Sequence, residues 1–139
     1  AHDNHDNLVN YRLDRIVNLT MSDEKMIDAK EKVGVNPEMI IQDYIEKSVN
    51  HFQGELIRVE VEYEPGQAAN AILYDFASGN IRVRKLENGH CVASFQKMDS
   101  VTLVGWFMQH AGMYKVVGPE KLRNEVQERI QSAWKVYSR

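Results

Sequence analysis

Two arginines near the start of the chain, Arg12 and Arg15, are the side chains best suited to bind an anion. A guanidinium group stays charged at any working pH, forms paired hydrogen bonds with phosphate or carboxylate, and stacks on bases. Tyr11 could also stack on a base, and Asp14 could orient Arg15. The alternative is that Arg15 forms an ion pair with Asp14 or a neighbouring domain while Arg12 is solvated, because surface ion pairs are common and weak.

A second charged set alternates along predicted strands in the second half of the chain: Arg58, Glu60 and Glu62, then Arg82 and Arg84. These side chains are expected to share the outer face of a sheet, where opposite charges pair across strands. The alternative is that Arg82 and Arg84 contact a ligand or another subunit, which a local surplus of guanidinium groups favours.

Other kinds of chemistry find no support. Cys91 is the only cysteine, so an internal disulfide, a CxxC pair and a thiolate zinc site are excluded, and a small buried thiol is expected. His2 and His5 could bind a metal only opportunistically. GPEKLR, from Gly118, lacks the glycine spacing and the Lys-Ser/Thr end of a phosphate loop. We expect no catalytic activity, no metal and no cofactor.

Trp106 lies beside the apolar face of a predicted helix and has two interpretations. It could anchor an interface, or it could fill the core, as an aromatic residue on a core-facing helix usually does. We predict core packing.

The first part of the chain predicts a bent strand over Leu8–Thr20 and then a charged connector. Asn36 and Pro37 are typical of a helix start, and the helix is expected to run to His51 or Phe52. The predicted division is 1–35, a linking helix at 36–54, and a domain at 55–139. The apolar stripe of this helix consists of Met39, Ile40, Tyr44, Ile45 and Val49.

The domain at 55–139 predicts a strand in ELIRVEVEY, whose alternation indicates one buried face, and a helix from Pro65 that ends at Gly79. Strands at 80–86 and 90–98 follow, and Asn88-Gly89 supplies the positive φ angles of the turn between them.

Asp99 or Ser100 should cap the next helix, Ala111 should lie on its inner face, and Gly112 should close it in the left-handed conformation. A short strand at 114–117 then precedes a helix from Gly118-Pro119 to Tyr137. The order β-α-β-β-α-β plus a helix predicts an α+β, ferredoxin-like domain. The inner stripe of the last helix is Leu122, Val126, Ile130, Ala133 and Tyr137, with Trp134 on its flank.

Composition supports a soluble globular protein, because apolar residues form 43% and charged residues 27% of 139 residues. A formal charge of −3 lacks the basic excess on which non-specific duplex DNA binding depends. A single cysteine and the lack of a long apolar run favour the cytoplasm. The chain begins at Ala1 without methionine, so we expect it to continue upstream.

Two stretches, YRLDRI at Tyr11–Ile16 and LVGWFMQHAGMYKVVGPEKLRNEVQERI at Leu103–Ile130, resemble bacterial WYL-domain transcriptional regulators. The first is similar to the closing strands of the WYL domain, a small Sm-like β-barrel, and the second to the C-terminal extension called WCX. The Trp-Tyr-Leu tripeptide of the family is absent from this sequence. It is expected upstream of Ala1, together with a winged helix-turn-helix that binds operator DNA.

The resemblance implies a nucleotide or nucleic-acid-like effector, homodimers, and transmission of ligand occupancy to the DNA-binding domain. It favours ligand binding by Arg12 and Arg15, and Tyr11 and Asp14 rank second as ligand residues. A secondary contact at Arg82 and Arg84 rests on their surplus of positive charge and not on the resemblance. Two other classes stay open: a free-standing ferredoxin-like small-molecule-binding or catalytic domain, and a dimerisation module without a ligand. In the last, Arg12 and Arg15 would only bridge subunits.

Overall fold

The computed structural model describes residues 11–26, 28, 30–31, 34, 36–50, 52 and 54–139. The chain divides into two compact units, Ala1–Ile40 and Ile41–Arg139. Within the described residues, no helix is both long and apolar enough to cross a membrane.

In the first unit, the prediction of a strand at Leu8–Thr20 is wrong for the residues that the structure describes. Residues 8–10 lie outside the described residues, while Leu13–Arg15 form a single turn of 3-10 helix in an otherwise irregular segment. A strand needs a hydrogen-bonded neighbour, and none of the described residues pairs with this segment. Its β-branched and apolar residues therefore stay exposed, Val17 and Leu19 among them.

Helix α1 spans Pro37–Lys47 and begins where the sequence predicts. The Asn36 side chain accepts a hydrogen bond from the backbone of Glu38 at 3.1 Å, as an N-cap residue does. The helix ends earlier than expected, because the chain turns at Asn50, whose φ is 51°, and Val49 forms an isolated bridge with Phe52.

The second unit contains a four-stranded antiparallel sheet with the strand order β2-β3-β1-β4. The strands are β1 (Leu56–Tyr63), β2 (Arg82–Lys85), β3 (Cys91–Met98) and β4 (Tyr114–Gly118). Helix α2 (Gln67–Phe76) connects β1 to β2, α3 (Val101–Gln109) connects β3 to β4, and α4 (Glu120–Tyr137) follows β4. The fold is α+β, and its order is compatible with the predicted split β-α-β pattern.

The core lies on one face of the sheet and is completed by the helices. In β1, Val59, Val61 and Tyr63 are buried, as the alternation predicts, and Phe95 and Ala93 stand opposite the two valines in β3. Such alternation gives a strand one buried and one solvent-facing side. The helices contribute the fully or nearly fully buried Leu73, Leu103, Val104, Phe107 and Leu122.

Two turn predictions need correction. In the β2–β3 hairpin only Gly89 has a positive φ, 86°, while Asn88 uses its side-chain oxygen to accept from the backbone of His90 at 3.0 Å. The loop is thus a three-residue turn with glycine in the left-handed position.

The predicted cap of α3 at Ser100 is confirmed, because the Ser100 side chain accepts a hydrogen bond of 3.2 Å from the Leu103 amide. Helix α3 ends at Gln109, with His110 as its C-cap residue, so Ala111 is exposed beyond it, and Gly112 does not have a positive φ.

Helix α4 confirms its predicted start and end, but only part of its apolar stripe is buried. Leu122 and Val126 lie in the core. Ile130 is 40% exposed and Tyr137 is 88% exposed. The periodicity was therefore right for the first half of the helix, and the core does not extend to the second half.

Tyr63 and Tyr114 are register partners on β1 and β4. We expect these two tyrosines to make the protein less stable at alkaline pH. Burial raises the pKa of both phenols above the ordinary 10.0. The two phenols therefore ionise at a lower pH in the unfolded chain than in the folded protein. The free energy of unfolding that is present below pH 10 falls as the pH rises above 10. Burial lowers the pKa of Lys97, so this residue makes the free energy of unfolding rise with pH until the pH reaches the ordinary lysine pKa of 10.5.

Tyr63→Phe isolates the tyrosine contribution. The free energy of unfolding in urea, measured at pH 9 and pH 11, should fall less for this variant than for the unsubstituted protein. An equal fall in both proteins would show that Tyr63 does not contribute.

Candidate functional site

The face of the sheet opposite the core carries the charged residues that the sequence set apart. Strand alternation and register place Arg58, Glu60 and Glu62 of β1 on this face, with Arg82 and Arg84 of β2. The prediction of a shared outer face is confirmed. The predicted pairing of Arg82 and Arg84 with the glutamates is not found, because Glu62 instead contacts His90 at 3.1 Å and Lys115 at 4.0 Å.

At one end of this face lies a pocket of about 350 Å³, here called the arginine pocket. It brings together the last turn of α1, the turn after α2, and the strands β1, β2 and β3. Its lining is polar at most positions, so it offers hydrogen bonds more than apolar contact. The lining residues are Glu46, Lys47, Arg58, Ala77, Ser78, Asn80, Arg82, Ser94, Phe95 and Gln96.

Ser94 lies between the two arginines of the pocket. The Arg58 Nε donates to the Ser94 hydroxyl at 2.7 Å, and Arg82 is the direct register partner of Ser94 on the other side. Among the described residues, no carboxylate lies within ion-pair distance of Arg58 or Arg82. Two guanidinium groups thus face one pocket and have no ion-pair partner in the part of the chain that the structure describes.

The α1 side of the pocket is fixed through the backbone carbonyl of Glu46. The Lys97 ammonium donates to that oxygen at 2.5 Å, and the Ser78 hydroxyl donates to it at 3.4 Å. Lys97 lies on the core face of β3, 3% exposed, with its nitrogen 4.8 Å from the centre of the Phe76 ring. Burial lowers the pKa of this ammonium, and the nearby Glu46 partly opposes the shift. These bonds hold the end of α1 against the pocket.

The charges of the pocket do not cancel. Three lining residues are cationic, Lys47, Arg58 and Arg82, and one is anionic, Glu46. Lys47 is partly neutralised by Asp43, four residues earlier in α1, at 2.5 Å. The Glu46 carboxylate accepts from the Gln42 amide at 3.0 Å. The arrangement can therefore supply guanidinium donors to an anion.

The predicted ligand residues of the first unit occupy an exposed turn. Arg12, not Arg15, pairs with Asp14, through contacts of 3.0 Å and 2.6 Å that use both carboxylate oxygens. This hydrogen bonding lowers the pKa of Asp14. Tyr11 and Arg15 are exposed, and among the described residues Arg15 has no ion-pair partner. Asp14 thus orients Arg12 and leaves Arg15 open to other partners.

Only some of the residues that line the arginine pocket were predicted from the sequence. Arg82 was singled out with Arg84, but Arg84 lies outside the lining. Ser94 and Ser78 carried no local signal, because their importance depends on which strands are neighbours and where α1 ends.

Other candidates belong to the core or the surface. Cys91 is buried, as expected. In the part of the chain that the structure describes, no group of three His, Cys, Asp or Glu could hold a metal ion, and His2 and His5 lie outside that part. Trp106 stacks on Phe76, with ring centroids 3.7 Å apart and planes at 10°, which confirms core packing.

The architecture is that of a small α+β domain with a four-stranded antiparallel sheet. Residues 55–134 match the family model of the WCX domain, and the chain belongs to this family. The matched segment begins just before β1 and reaches into the last turns of α4. A comparison with curated proteins finds no match.

Proposed function

We propose that this chain is the C-terminal ligand-sensing and dimerisation part of a bacterial, cytoplasmic transcriptional regulator of the WYL type. The WCX match over residues 55–134 carries the proposal, because WCX is a C-terminal domain of such regulators. The β-α-β-β-α-β order supports a ferredoxin-like core. Operator DNA would be bound by a helix-turn-helix outside this sequence, and the chain itself is not an enzyme.

The proposed effector is a nucleotide or a nucleic-acid-like molecule bound through Arg12 and Arg15, with Tyr11 and Asp14 in support. Arg15 is exposed and has no ion-pair partner among the described residues, while Arg12 is already oriented by Asp14 at 2.6 Å. Guanidinium groups suit phosphate because they present several donors in one plane. An exposed tyrosine beside them can stack on a base.

A direct test uses fluorescence anisotropy with a fluorescein-labelled single-stranded hexathymidylate. The double variant Arg12→Ala/Arg15→Ala is expected to bind at least about tenfold more weakly, since each lost charged hydrogen bond contributes about 1.5–3 kcal/mol. Lys25→Ala/Lys30→Ala is the matched control: it removes the same charge from the same unit and should reduce affinity by less than about threefold.

Sedimentation of the same variants separates sensing from assembly. Weaker binding with an unchanged dimer supports the proposed ligand site. A dissociated dimer with unchanged hexathymidylate binding would show that the two arginines bridge subunits and would refute their role as ligand residues.

The second candidate function is a free-standing ferredoxin-like small-molecule-binding domain. It is favoured by the arginine pocket, which is built wholly from residues of the unit Ile41–Arg139. In that case ligand binding would not change in the Arg12→Ala/Arg15→Ala variant.

A further inference from the structure

We propose that the arginine pocket is a binding site for the phosphate group of a small phosphate ester. The inference goes beyond the proposed function, because it assigns anion recognition to Arg58 and Arg82 of the WCX domain and uses no residue of the first unit. It remains testable if the regulator assignment fails.

The first argument is that one of the two guanidinium groups, that of Arg58, is oriented before a ligand arrives. Arg58 is held by its Nε bond to Ser94 at 2.7 Å, which leaves the terminal nitrogens of its guanidinium for another acceptor. Arg82 enters from the neighbouring strand, directly opposite Ser94. Arg82 and Ser94 face each other on adjacent strands, where Cβ atoms lie about 5 Å apart. Because Arg58 is bonded to the same serine, both guanidinium groups lie beside Ser94 and can reach the same anion.

The second argument is the charge that the fold leaves uncompensated. The described residues offer Arg58 and Arg82 no carboxylate partner, whereas Lys47, the other cation of the lining, has Asp43. The Glu46 carboxylate offsets part of the charge of the two arginines, and a bound anion would balance the rest. Arginine pairs with phosphate oxygens through short, charge-assisted hydrogen bonds.

The third argument is the shape and polarity of the pocket. Lining residues with hydrogen-bond donors come from β1, β2 and the turn after α2, where Asn80 joins the lining. A tetrahedral phosphate presents acceptor oxygens in several directions, while a carboxylate presents them in one plane. The volume of about 350 Å³ admits a phosphate with a small attached group.

The test is a two-dimensional NMR titration of the full chain at pH 7.5, with ionic strength held constant by NaCl. The probes are inorganic phosphate, adenosine 5′-monophosphate, adenosine and acetate. We expect both phosphate-containing probes to shift the Asn80 and Ser94 amides and the Arg58 Nε resonance in a saturable manner. Adenosine and acetate should leave these resonances in place.

The variants compare two arginines on the same strand. Arg82→Gln should weaken phosphate binding at least about tenfold, because one charged hydrogen-bond partner is lost. Arg84→Gln removes an equal charge from the same face outside the pocket and should change affinity less than about twofold. Ser94→Ala, which frees Arg58, should weaken binding several-fold, and thermal melting checks that each variant is folded.

Three results would overturn the proposal. Equal weakening by Arg82→Gln and Arg84→Gln would mean that phosphate responds to the general charge of the face. Acetate binding as tightly as phosphate would remove the preference for a tetrahedral anion. Shifts that grow linearly without saturation would show that there is no site.

Discussion

Gly54→Ala is expected to destabilise the fold by about 3 kcal/mol or more, because the added methyl group has no space. A Cβ atom at this position would lie 1.7 Å from the backbone oxygen of Asp99. The main chain of Asp99 is also held by a hydrogen bond of 2.7 Å, which its amide donates to the Glu55 carbonyl. A backbone atom cannot move aside as the tip of a flexible side chain can, so the strand entry itself would shift.

Urea unfolding followed by tryptophan fluorescence measures this change, and Gly105→Ala is the matched control. Gly105 lies within α3 with nothing within 4 Å of its would-be Cβ. Alanine there should stabilise the protein by about 0.5–1 kcal/mol through helix propensity. If Gly54→Ala were as stable as the unsubstituted protein, the close passage of 54 against Asp99 would be wrong.

Trp106→Ala is expected to lower the free energy of unfolding by about 3 kcal/mol, the usual cost of removing a packed aromatic ring. The indole stacks on Phe76 and lies 5.5 Å from the Tyr114 ring, with planes at 19°. It also meets Phe107 edge to face at 5.1 Å. Its removal leaves a cavity next to the fully buried Phe107, where neighbouring rings can only partly close the gap.

Trp134→Ala provides the comparison, because Trp134 is 72% exposed on α4 and its loss should change stability by no more than about 0.5 kcal/mol. Circular dichroism in urea follows both variants without depending on tryptophan fluorescence. Should Trp106→Ala leave stability unchanged but reduce self-association, Trp106 would be an interface anchor and its assignment to the core would fail.

Local pattern was sufficient for the strands and helix starts of the second unit, but not for all of its turns. The alternation of Val59, Val61 and Tyr63 gave both the strand and its buried face, and Ser100 gave the start of α3. Each of these features depends on a residue and its near neighbours. Where a feature depended on the extent of the core, as for Ile130 in α4, periodicity gave the face of the helix but not its burial.

The misassigned strand at Leu8–Thr20 shows the limit of that reasoning. Its composition favours a strand, but a strand is stable only when another strand pairs with it, and that partner is a property of the whole fold. The arginine pocket is non-local in the same way. Arg58 and Arg82 become neighbours only because β3 lies between β1 and β2, and the end of α1 joins them through Lys97.

The central claim, that this chain is the C-terminal part of a WYL-type regulator, is tested most directly by reading the coding sequence upstream of the Ala1 codon. The account predicts a winged helix-turn-helix followed by a strand with the Trp-Tyr-Leu tripeptide, in frame with YRLDRI. A start codon adjacent to Ala1, or a domain without DNA-binding features, would contradict it.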